Sequence, residues 1–312
     1  MATATATATK SGTADILLES GTNELEIMEF TISGNVFGIN VAKVTEIMKY
    51  LPVKAMPNSH PDVEGIFKPR NMIITVVNLP TYLGLPTHEE TERDMFIITS
   101  FNKMNVAFHV HTVEGIHRVS WNDIEKPDAT IYGGEEGLAT GIAKFQGRLI
   151  TIIDFEKIVF DISPQSGIQL SEIAQLGPRN RSLKPVLIAE DSTLLKKMIT
   201  EALHEAGYMN VLTFANGQEA WDALREMRDS GVPIEDQAKC LITDIEMPKM
   251  DGHRLTKLVK EDKILNKVPV IIFSSLIDEA MRNKGAELGA NAQLSKPEIG
   301  KLVSTVDQWI LA

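Results

Sequence analysis

Polar side chains that could do chemistry together follow four short apolar runs in the second half of the chain. They are Glu190 and Asp191 after "PVLIA", Asp244 after "CLIT", Ser274 at the end of "VPVIIFS" and Lys296 after "AQLS". If these runs are parallel strands, their carboxyl ends meet at one edge of a sheet, where ligands bind in such folds. Three carboxylates close together repel, and one would bind a proton unless a cation lay between them. The pattern therefore predicts a divalent-cation site.

The predicted cation is Mg²⁺, which binds a few carboxylates together with waters and a phosphoryl group. An aspartate is a competent nucleophile in phosphoryl transfer, and Asp244 is the candidate. Lys296 would add a positive charge, and Ser274 would add a hydroxyl donor. Because the transition state is loose, the protein mainly positions groups and neutralises charge. These residues predict a receptacle for a phosphoryl group carried on Asp244.

Two other interpretations of the same residues stand beside this one. A single carboxylate at a strand end is usually a solvated turn residue or a helix cap, but five polar residues at one edge favour a shared role. An aspartyl-nucleophile phosphatase would need a second aspartate two residues after the first. The chain has Glu246 at that position, which argues against a phosphatase.

The elements that must position these residues are predicted from residue 184 onward. Apolar runs alternate there with helical patterns, and Ser192 can cap the first helix, which Gly207 ends. That helix places a set of apolar residues on one face: Leu194, Leu195, Met198, Ile199, Ala202 and Leu203. Five strands and five helices in alternation predict an α/β fold of flavodoxin-like type, with a five-stranded parallel sheet covered on both faces.

The first half has a different pattern. Short apolar runs such as "LEIMEFTI" and "NMIITVVNL" follow one another at close intervals, with turn residues such as Ser33-Gly34-Asn35 between them. Many short strands with few helices are typical of barrels and sandwiches. We predict a disordered tail over residues 1–14, an all-β domain over 15–162, a linker over 163–183 and the α/β domain over 184–312.

Composition excludes several classes of function. The 312 residues carry a net charge of −11, which argues against a nucleic-acid or anionic-membrane partner. No apolar run is long enough to span a membrane, and the N-terminus lacks the pattern of a signal peptide. The single cysteine, Cys240, is expected to be a buried small hydrophobe. A cytoplasmic protein is the simplest interpretation.

The all-β half contains few candidate catalytic residues. Gly133, Gly134, Gly137 and Gly141 form no phosphate cradle, because no Lys-Ser/Thr follows them. His109 and His111 point the same way on a strand and could bind a metal, but ordinary strand histidines are favoured. There is no nucleophile elbow and no Cys–His pair. The first half is therefore predicted to be a binding module.

Residues 184–312 resemble a two-component receiver domain, on the acidic pair Glu190-Asp191, the "TDIEMPKMDG" loop, and the Ser and Lys-Pro that follow the later strands. The resemblance implies that Asp244 is the phosphoacceptor. It implies that Glu190, Asp191 and Asp244 bind Mg²⁺ together with the main-chain carbonyl of Glu246. Ser274 and Lys296 would contact the phosphoryl oxygens.

Two further expectations come from the same resemblance. The Lys296–Pro297 peptide bond is a candidate for the cis form that the family usually has there. Gln293 occupies the position at which the family often has an aromatic switch residue. A hydrogen bond between Ser274 and Gln293 is a hypothesis for what replaces the rotation of the aromatic ring.

Residues 16–50, "ILLESGTNELEIMEFTISGNVFGINVAKVTEIMKY", and 60–85, "HPDVEGIFKPRNMIITVVNLPTYLGL", resemble the CheW-like coupling domain. The resemblance covers about residues 15–160 and implies a pair of SH3-like five-stranded barrels. Four residues fall on family positions for partner contact: Val44, Glu46, Gly65 and Arg70. Each also has an ordinary structural interpretation, as a core valine, a solvated glutamate, a turn glycine and a surface arginine.

A CheW-like domain followed by a receiver resembles the CheV family. This resemblance implies a cytoplasmic coupling protein that links methyl-accepting chemoreceptors to the chemotaxis histidine kinase, at receptor arrays on the inner membrane. Phosphorylation of Asp244 would tune the coupling or drain phosphate, and the chain would not be classed as an enzyme. The alternative is a response regulator whose β module binds a different partner or ligand.

Overall fold

The computed structural model describes residues 24–87, 92–101, 104–127, 137–177, 179–275, 277 and 279–310. They form two compact units. The first consists mainly of Leu25–Pro127 and Ala139–Phe155, and the second mainly of Glu156–Ala312. The predicted tail and the glycines Gly133 and Gly134 lie outside the described residues. The predicted domain boundaries at 162/163 and 183/184 stay predictions.

The first unit consists of two sheets joined by short turns. Its strands are β1 (Glu24–Ile32), β2 (Asn35–Asn40), β3 (Val44–Lys49), β4 (Val63–Phe67), β5 (Ile74–Asn78), β6 (Met95–Phe101), β7 (Met104–Val110), β8 (Thr112–Ser120), β9 (Ile124–Glu125), β10 (Ala139–Phe145) and β11 (Arg148–Ile153). One sheet has the order β8-β1-β2-β11-β10-β9, and the other has the order β3-β6-β7-β5-β4. The sixth strand of the first sheet, β9, has only two residues.

An aromatic cluster connects the two sheets. The ring of Phe155, which opens helix α2 (Phe155–Ile162), lies 4.3 Å from the ring of Phe108 on β7 and 5.9 Å from the ring of Phe30 on β1. All three rings are fully buried. Large edge-to-face aromatic contacts of this kind contribute more than their buried area alone. The unit therefore holds its two sheets together through the first residue of α2. A short helix, α1 (Leu79–Tyr82), follows β5.

The second unit has the predicted alternating fold. Its strands are β12 (Val186–Ala189), β13 (Val211–Phe214), β14 (Cys240–Thr243), β15 (Val270–Ser274) and β16 (Ala292–Ser295). Its helices are α3 (Ser171–Ala174), α4 (Thr193–Glu205), α5 (Gly217–Asp229), α6 (Ile234–Gln237), α7 (Gly252–Glu261), α8 (Glu279–Glu287) and α9 (Ile299–Ile310). The strands form one parallel sheet in the order β13-β12-β14-β15-β16.

Burial on both faces explains why these strands are continuous apolar runs. Ile188 and Ile242 belong to one core, whereas their neighbours Leu187 and Leu241 belong to the core on the other face. Successive side chains of a strand point to opposite faces, so both must be apolar. Cys240 is buried in the first of these cores, as expected, and burial raises the pKa of its thiol to about 12. The predicted fold class, all-β followed by α/β, is confirmed.

The segment predicted as a linker packs against the second unit. Ile168 and Ile173 are buried in the same core as Leu302 and Val306 of α9. The main-chain N–H of Gly300 donates a hydrogen bond to Oε2 of Glu172 at 3.0 Å. This segment also contains the short helix α3. Among the described residues, no helix combines the length and apolar character needed to cross a membrane.

A buried charged cluster lies in the second sheet of the first unit. His109 on β7 contacts Oε2 of Glu64 through Nδ1 and Oδ2 of Asp94 through Nε2, both at 2.8 Å. The hydroxyl of Tyr50 donates to Oε1 of Glu64 at 3.0 Å. Sequence reasoning saw no carboxylate near His109, because Glu64 lies on β4 and Asp94 precedes β6. Strand pairing brings them together, and the structure gives His109 ion-pair partners.

The contacts in this cluster raise the pKa of His109 and lower the pKa of Glu64. Burial alone would lower the pKa of His109, but Glu64 and Asp94 outweigh it and raise the pKa. Burial would raise the pKa of Glu64, but His109, Tyr50 and Asn78 lower it. The His109 contribution to stability is present below its ordinary pKa of 6.5 and is lost as pH rises through its folded value. The Glu64 contribution is present above 4.5 and is lost as pH falls through its folded value.

We expect the free energy of unfolding of the first unit to decrease as pH rises above the ordinary His109 pKa, and to do so less steeply in Asp94→Asn. The variant loses one of the two carboxylates that favour the charged ring. Denaturant titrations followed by NMR signals of β7, between about pH 5 and pH 9, measure this difference. His60→Gln, at a more exposed histidine, is the control and should keep the wild-type slope. Parallel pH profiles for wild type and Asp94→Asn would contradict the assignment.

Candidate functional site

Strand pairing brings the predicted site residues of the second unit together. Ala189 pairs with Thr243 across β12 and β14, so Glu190 and Asp244 follow neighbouring strand ends. Ser274 pairs with Ser295 across β15 and β16, which places Lys296 next to the same edge. Because β14 and β15 are also neighbours, all of these residues share one edge of the sheet. The convergence expected from a parallel sheet is observed.

Lys296 makes the central contacts of the site. Its Nζ lies 2.8 Å from Oδ2 of Asp244 and 3.0 Å from Oε2 of Glu190. All three side chains are almost completely buried. A buried ammonium is tolerated only when it is paired. Burial alone would lower the pKa of Lys296, but Asp244, Glu190 and Glu156 together raise it well above its ordinary value. Lys296 is therefore held as a cation.

The carboxylates outnumber this single cation. Oxygen atoms of Glu190, Asp191 and Asp244 lie within 4.8 Å of one another. Burial raises the pKa of Glu190 well above its ordinary value, and Asp244, Asp191 and Glu156 raise it further, against the lowering effect of Lys296. A hard divalent cation would relieve this repulsion, and an all-oxygen donor set is the one that Mg²⁺ prefers. The residues present fit Mg²⁺.

The loop after β14 holds Asp244 in a fixed orientation. Oδ1 of Asp244 accepts a hydrogen bond from the main-chain N–H of Ile245 at 2.7 Å. The main-chain N–H of Gly252 donates to the carbonyl oxygen of Ile245 at 2.9 Å, which closes the loop. A Cβ atom at Gly252 would lie 1.8 Å from the carbonyl oxygen of Asp244, so only glycine fits there. Asp251 then caps α7 through the N–H of Arg254.

Ser274 and Glu246 are buried at the same edge of the sheet. Ser274 ends β15, where its hydroxyl can face a group on Asp244. Glu246 follows Asp244 by two residues, and a role for its main-chain carbonyl as a metal ligand stays a prediction.

The Lys296–Pro297 bond was a candidate for the cis form. That expectation was wrong for this structure, in which no described peptide bond is cis.

Gln293 packs against α8 in this structure. Its amide nitrogen donates to the main-chain oxygen of Arg282 at 2.7 Å, and a Cβ atom on Gly285 would meet its side-chain oxygen at 2.4 Å. The guanidinium of Arg282 also reaches the main-chain oxygen of Gln293, at 3.3 Å. The hydrogen bond to Ser274 stays a hypothesis for the phosphorylated state.

Sequence reasoning missed Glu156, which lies next to the site and contacts Ser275. Ser275 follows Ser274 directly, and its hydroxyl donates to Oε2 of Glu156 at 2.8 Å. Glu156 is the second residue of α2 and lies 119 positions earlier in the chain. No periodicity or motif in the sequence connects the two. Glu156 adds a third carboxylate, after Asp244 and Glu190, to the electrostatic surroundings of Lys296.

Of the four residues predicted for partner contact, Val44 and Glu46 lie on β3 and Gly65 lies on β4, the two end strands in the order of the second sheet, and Arg70 contacts Glu46. Nη2 of Arg70 is 2.9 Å from Oε1 of Glu46, and the arginine side chain is 72% exposed. Val44 begins the same strand as Glu46 and is half-buried. Gly65 is buried at φ +148°, and a Cβ atom there would lie 2.3 Å from the carbonyl oxygen of Lys54. The positive φ angle and the close approach of the Lys54 backbone therefore require glycine at position 65.

Comparison with known families assigns both units. A family model described as "CheW-like domain" matches residues 26–162, and one described as "Response regulator receiver domain" matches residues 186–307. The chain is similar to chemotaxis protein CheV3 of Helicobacter pylori, with 27% identity over 92% of this chain and 94% of that protein. The chain belongs to the CheV-type proteins. The similarity therefore extends over both domains of this chain and over most of the length of each protein.

Each domain also has relatives of its own. The chemotaxis protein CheW of Thermotoga maritima is 27% identical over 48% of this chain and 98% of that protein. The chemotaxis protein CheY1 of Helicobacter pylori is 31% identical over 36% of this chain and 84% of that protein. The families and relatives support a role for this CheV-type protein in chemotaxis coupling and two-component signalling. The CheW and CheV families are scaffolding and coupling proteins that are generally not enzymes.

We expect Asp191→Asn to raise the free energy of unfolding of the second unit in the absence of divalent cations. Two like charges about 4 Å apart repel by about 1 kcal/mol in water and more near a protein surface, so the gain should be at least about 1 kcal/mol. Added Mg²⁺ should stabilise the wild type and stabilise the variant less, because the stability added by a bound cation increases with the logarithm of its affinity. Denaturant titrations with Mg²⁺ or with a chelator measure both effects.

The control for this comparison is Asp236→Asn, which removes an exposed carboxylate from α6. Its response to Mg²⁺ should equal that of the wild type. A wild-type protein whose unfolding is unchanged by millimolar Mg²⁺ would overturn the metal assignment.

Proposed function

We propose that this protein links methyl-accepting chemoreceptors to the chemotaxis histidine kinase, and that a phosphoryl group on Asp244 adjusts this coupling or drains phosphate from the pathway. The observation that supports it most directly is the contact of the Lys296 ammonium with Asp244 and Glu190. This arrangement lies in a chain whose other unit is a CheW-like domain. A phosphoryl-accepting site and a coupling module are thus parts of one polypeptide.

The phosphoryl transfer follows from the orientation of Asp244. A carboxylate oxygen of Asp244 attacks the phosphorus of a phosphohistidine on the kinase, an O–P bond forms, and the N–P bond breaks. The imidazole leaves with the electron pair and takes up a proton. The Ile245 N–H and the Lys296 ammonium each bind one oxygen of Asp244, which keeps the carboxylate in a single orientation. Positioning and charge neutralisation supply most of the catalysis in such transfers.

Other residues at the edge of the sheet stabilise the product. Glu190, Asp191 and Asp244, with the main-chain carbonyl of Glu246, would hold Mg²⁺. Bound Mg²⁺ supplies positive charge that offsets the charge on the phosphoryl oxygens. Lys296 and the hydroxyl of Ser274 donate to those oxygens. The protein promotes its own phosphorylation but turns over no separate substrate, so it acts as a switch rather than as an enzyme.

The partner surface is proposed on the second sheet of the first unit, around Val44, Glu46, Gly65 and Arg70. Arg70 presents a planar guanidinium that is mostly exposed, and such groups are frequent in protein interfaces. Met72 and Ile73, which follow it, are 55% and 67% exposed. Exposed apolar side chains beside an arginine are typical of binding surfaces. The protein would act at receptor arrays on the cytoplasmic side of the inner membrane.

Kinase activity in reconstituted receptor assemblies, with this protein as the only coupler, tests the proposal. We expect the wild type to give receptor-controlled kinase activity, and Asp244→Asn to couple but adapt differently when attractant is added and removed. The substitution keeps the shape of Asp244 but removes the nucleophilic carboxylate. Asp222→Asn, an exposed carboxylate on α5, is the control and should behave as wild type.

Other outcomes separate the parts of the proposal. If neither protein supports receptor-controlled activity, coupling is refuted and the β module binds another partner or ligand. If both couple and adapt alike, Asp244 is a phosphate sink and does not regulate the first unit.

A further inference from the structure

The first turn of helix α2 contains Glu156, with which the second unit begins. Oε2 of Glu156 accepts the hydrogen bond from the hydroxyl of Ser275. Ser275 is adjacent in sequence to Ser274, whose hydroxyl is assigned above to the phosphoryl oxygens. Both serines are buried. Any movement of Ser274 toward a phosphoryl group therefore moves the donor of the bond that holds Glu156.

The charge of Glu156 also affects the ionisable groups of the site. It is one of three carboxylates that keep the pKa of Lys296 high, with Asp244 and Glu190. It also raises the pKa of Glu190, after burial and the nearer acidic groups. A phosphoryl group brings about −1.5 to −2 charges in place of the single charge of the carboxylate. Phosphorylation of Asp244 therefore increases the repulsion on Glu156.

The chain itself connects Glu156 to the core of the first unit. The preceding residue, Phe155, is the ring that packs on both Phe30 and Phe108. Phe155 is fully buried, so its position is fixed by close packing with both sheets. A change in the restraint on Glu156 acts one residue away from this ring. Lys157 and Asp161 form an ion pair along α2, which adds a small stabilisation to the helix.

Resting on the proposed function of Asp244, we propose that the Glu156–Ser275 hydrogen bond is a latch that holds α2 while Asp244 is unphosphorylated. A phosphoryl group on Asp244 breaks the latch, by drawing Ser274 and Ser275 toward the phosphoryl oxygens and by repelling the Glu156 carboxylate. The freed first turn of α2 then changes the packing of Phe155. The latch is the connection by which phosphorylation in the second unit reaches the coupling unit.

Coupling between two events is reciprocal, so the latch must also oppose phosphorylation. Breaking it by substitution should make the phosphoryl state easier to reach. Ser275→Ala removes the hydrogen-bond donor and leaves the charge, whereas Glu156→Gln removes the charge and leaves an acceptor oxygen. The two variants separate the hydrogen bond from the electrostatic repulsion.

The test uses the full chain, Mg²⁺ and beryllofluoride, a stable mimic of a phosphoryl group on aspartate. Fluorine NMR measures how much mimic is bound, independently of α2. Hydrogen exchange of the α2 amides measures whether the latch is closed. We expect the mimic to speed exchange in the wild type on the order of fivefold, near the lower end of typical allosteric couplings. In Ser275→Ala exchange should be fast without the mimic, and Ser275→Ala and Glu156→Gln should each bind the mimic on the order of fivefold more tightly.

Two controls accompany the variants. Glu172→Gln removes another carboxylate that is hydrogen-bonded within the second unit, to the N–H of Gly300, and should respond as wild type. Asp244→Asn should bind no mimic and show no change in α2. If Ser275→Ala does not fold, the affinity of Glu156→Gln for the mimic still decides the question.

Each outcome has one meaning. Bound mimic with unchanged exchange in wild-type α2 would overturn the latch and leave the function proposed for Asp244 intact. Wild-type affinity for the mimic in both latch variants would overturn it too. Failure of the wild type to bind the mimic with Mg²⁺ present would overturn the latch together with the role of Asp244 as phosphoacceptor.

Discussion

The second unit depends on one buried ammonium among several carboxylates. Lys296 is paired with Asp244 and Glu190, and without the lysine these two buried carboxyl groups would lose the cation that contacts them both. The sheet order, the glycine at position 252 and the cap of α7 all serve to bring these groups to the same edge. Excess negative charge remains after this pairing. That excess prepares the site for Mg²⁺ and makes its surroundings respond to one more anionic group.

The two units carry charge in different ways. In the first unit, His109 lies between Glu64 and Asp94 and contacts one carboxylate through each ring nitrogen, so each acid has a direct partner. In the second unit the acids exceed the cation, and repulsion is retained at the cost of stability. Unbalanced charge is common where a protein must bind a ligand or change state. The contrast agrees with a structural role for the His109 cluster and a switching role for the site around Asp244.

How far the sequence could predict this molecule depended on how local each signal was. The strand-end positions of Glu190, Asp244 and Lys296 were predictable, because parallel strands that alternate with helices must end at one edge. The partners of His109 were missed, because Glu64 and Asp94 are 45 and 15 residues away and only strand pairing brings them near. The bond between Glu156 and Ser275 was missed for the same reason. Contacts across long separations have no period or motif in the sequence.

The packing of the connector against the second unit has a consequence for how such proteins can be divided. Ile168 and Ile173 fill part of the core beside α9, and Glu172 binds the start of that helix. A fragment cut at residue 184, where the α/β pattern begins, would leave that part of the core open to water. The receiver of this protein therefore cannot be exchanged as residues 184–312 alone without exposing part of its core. Its connector forms part of its core, which constrains recombination with other partners to breakpoints upstream of Ile168.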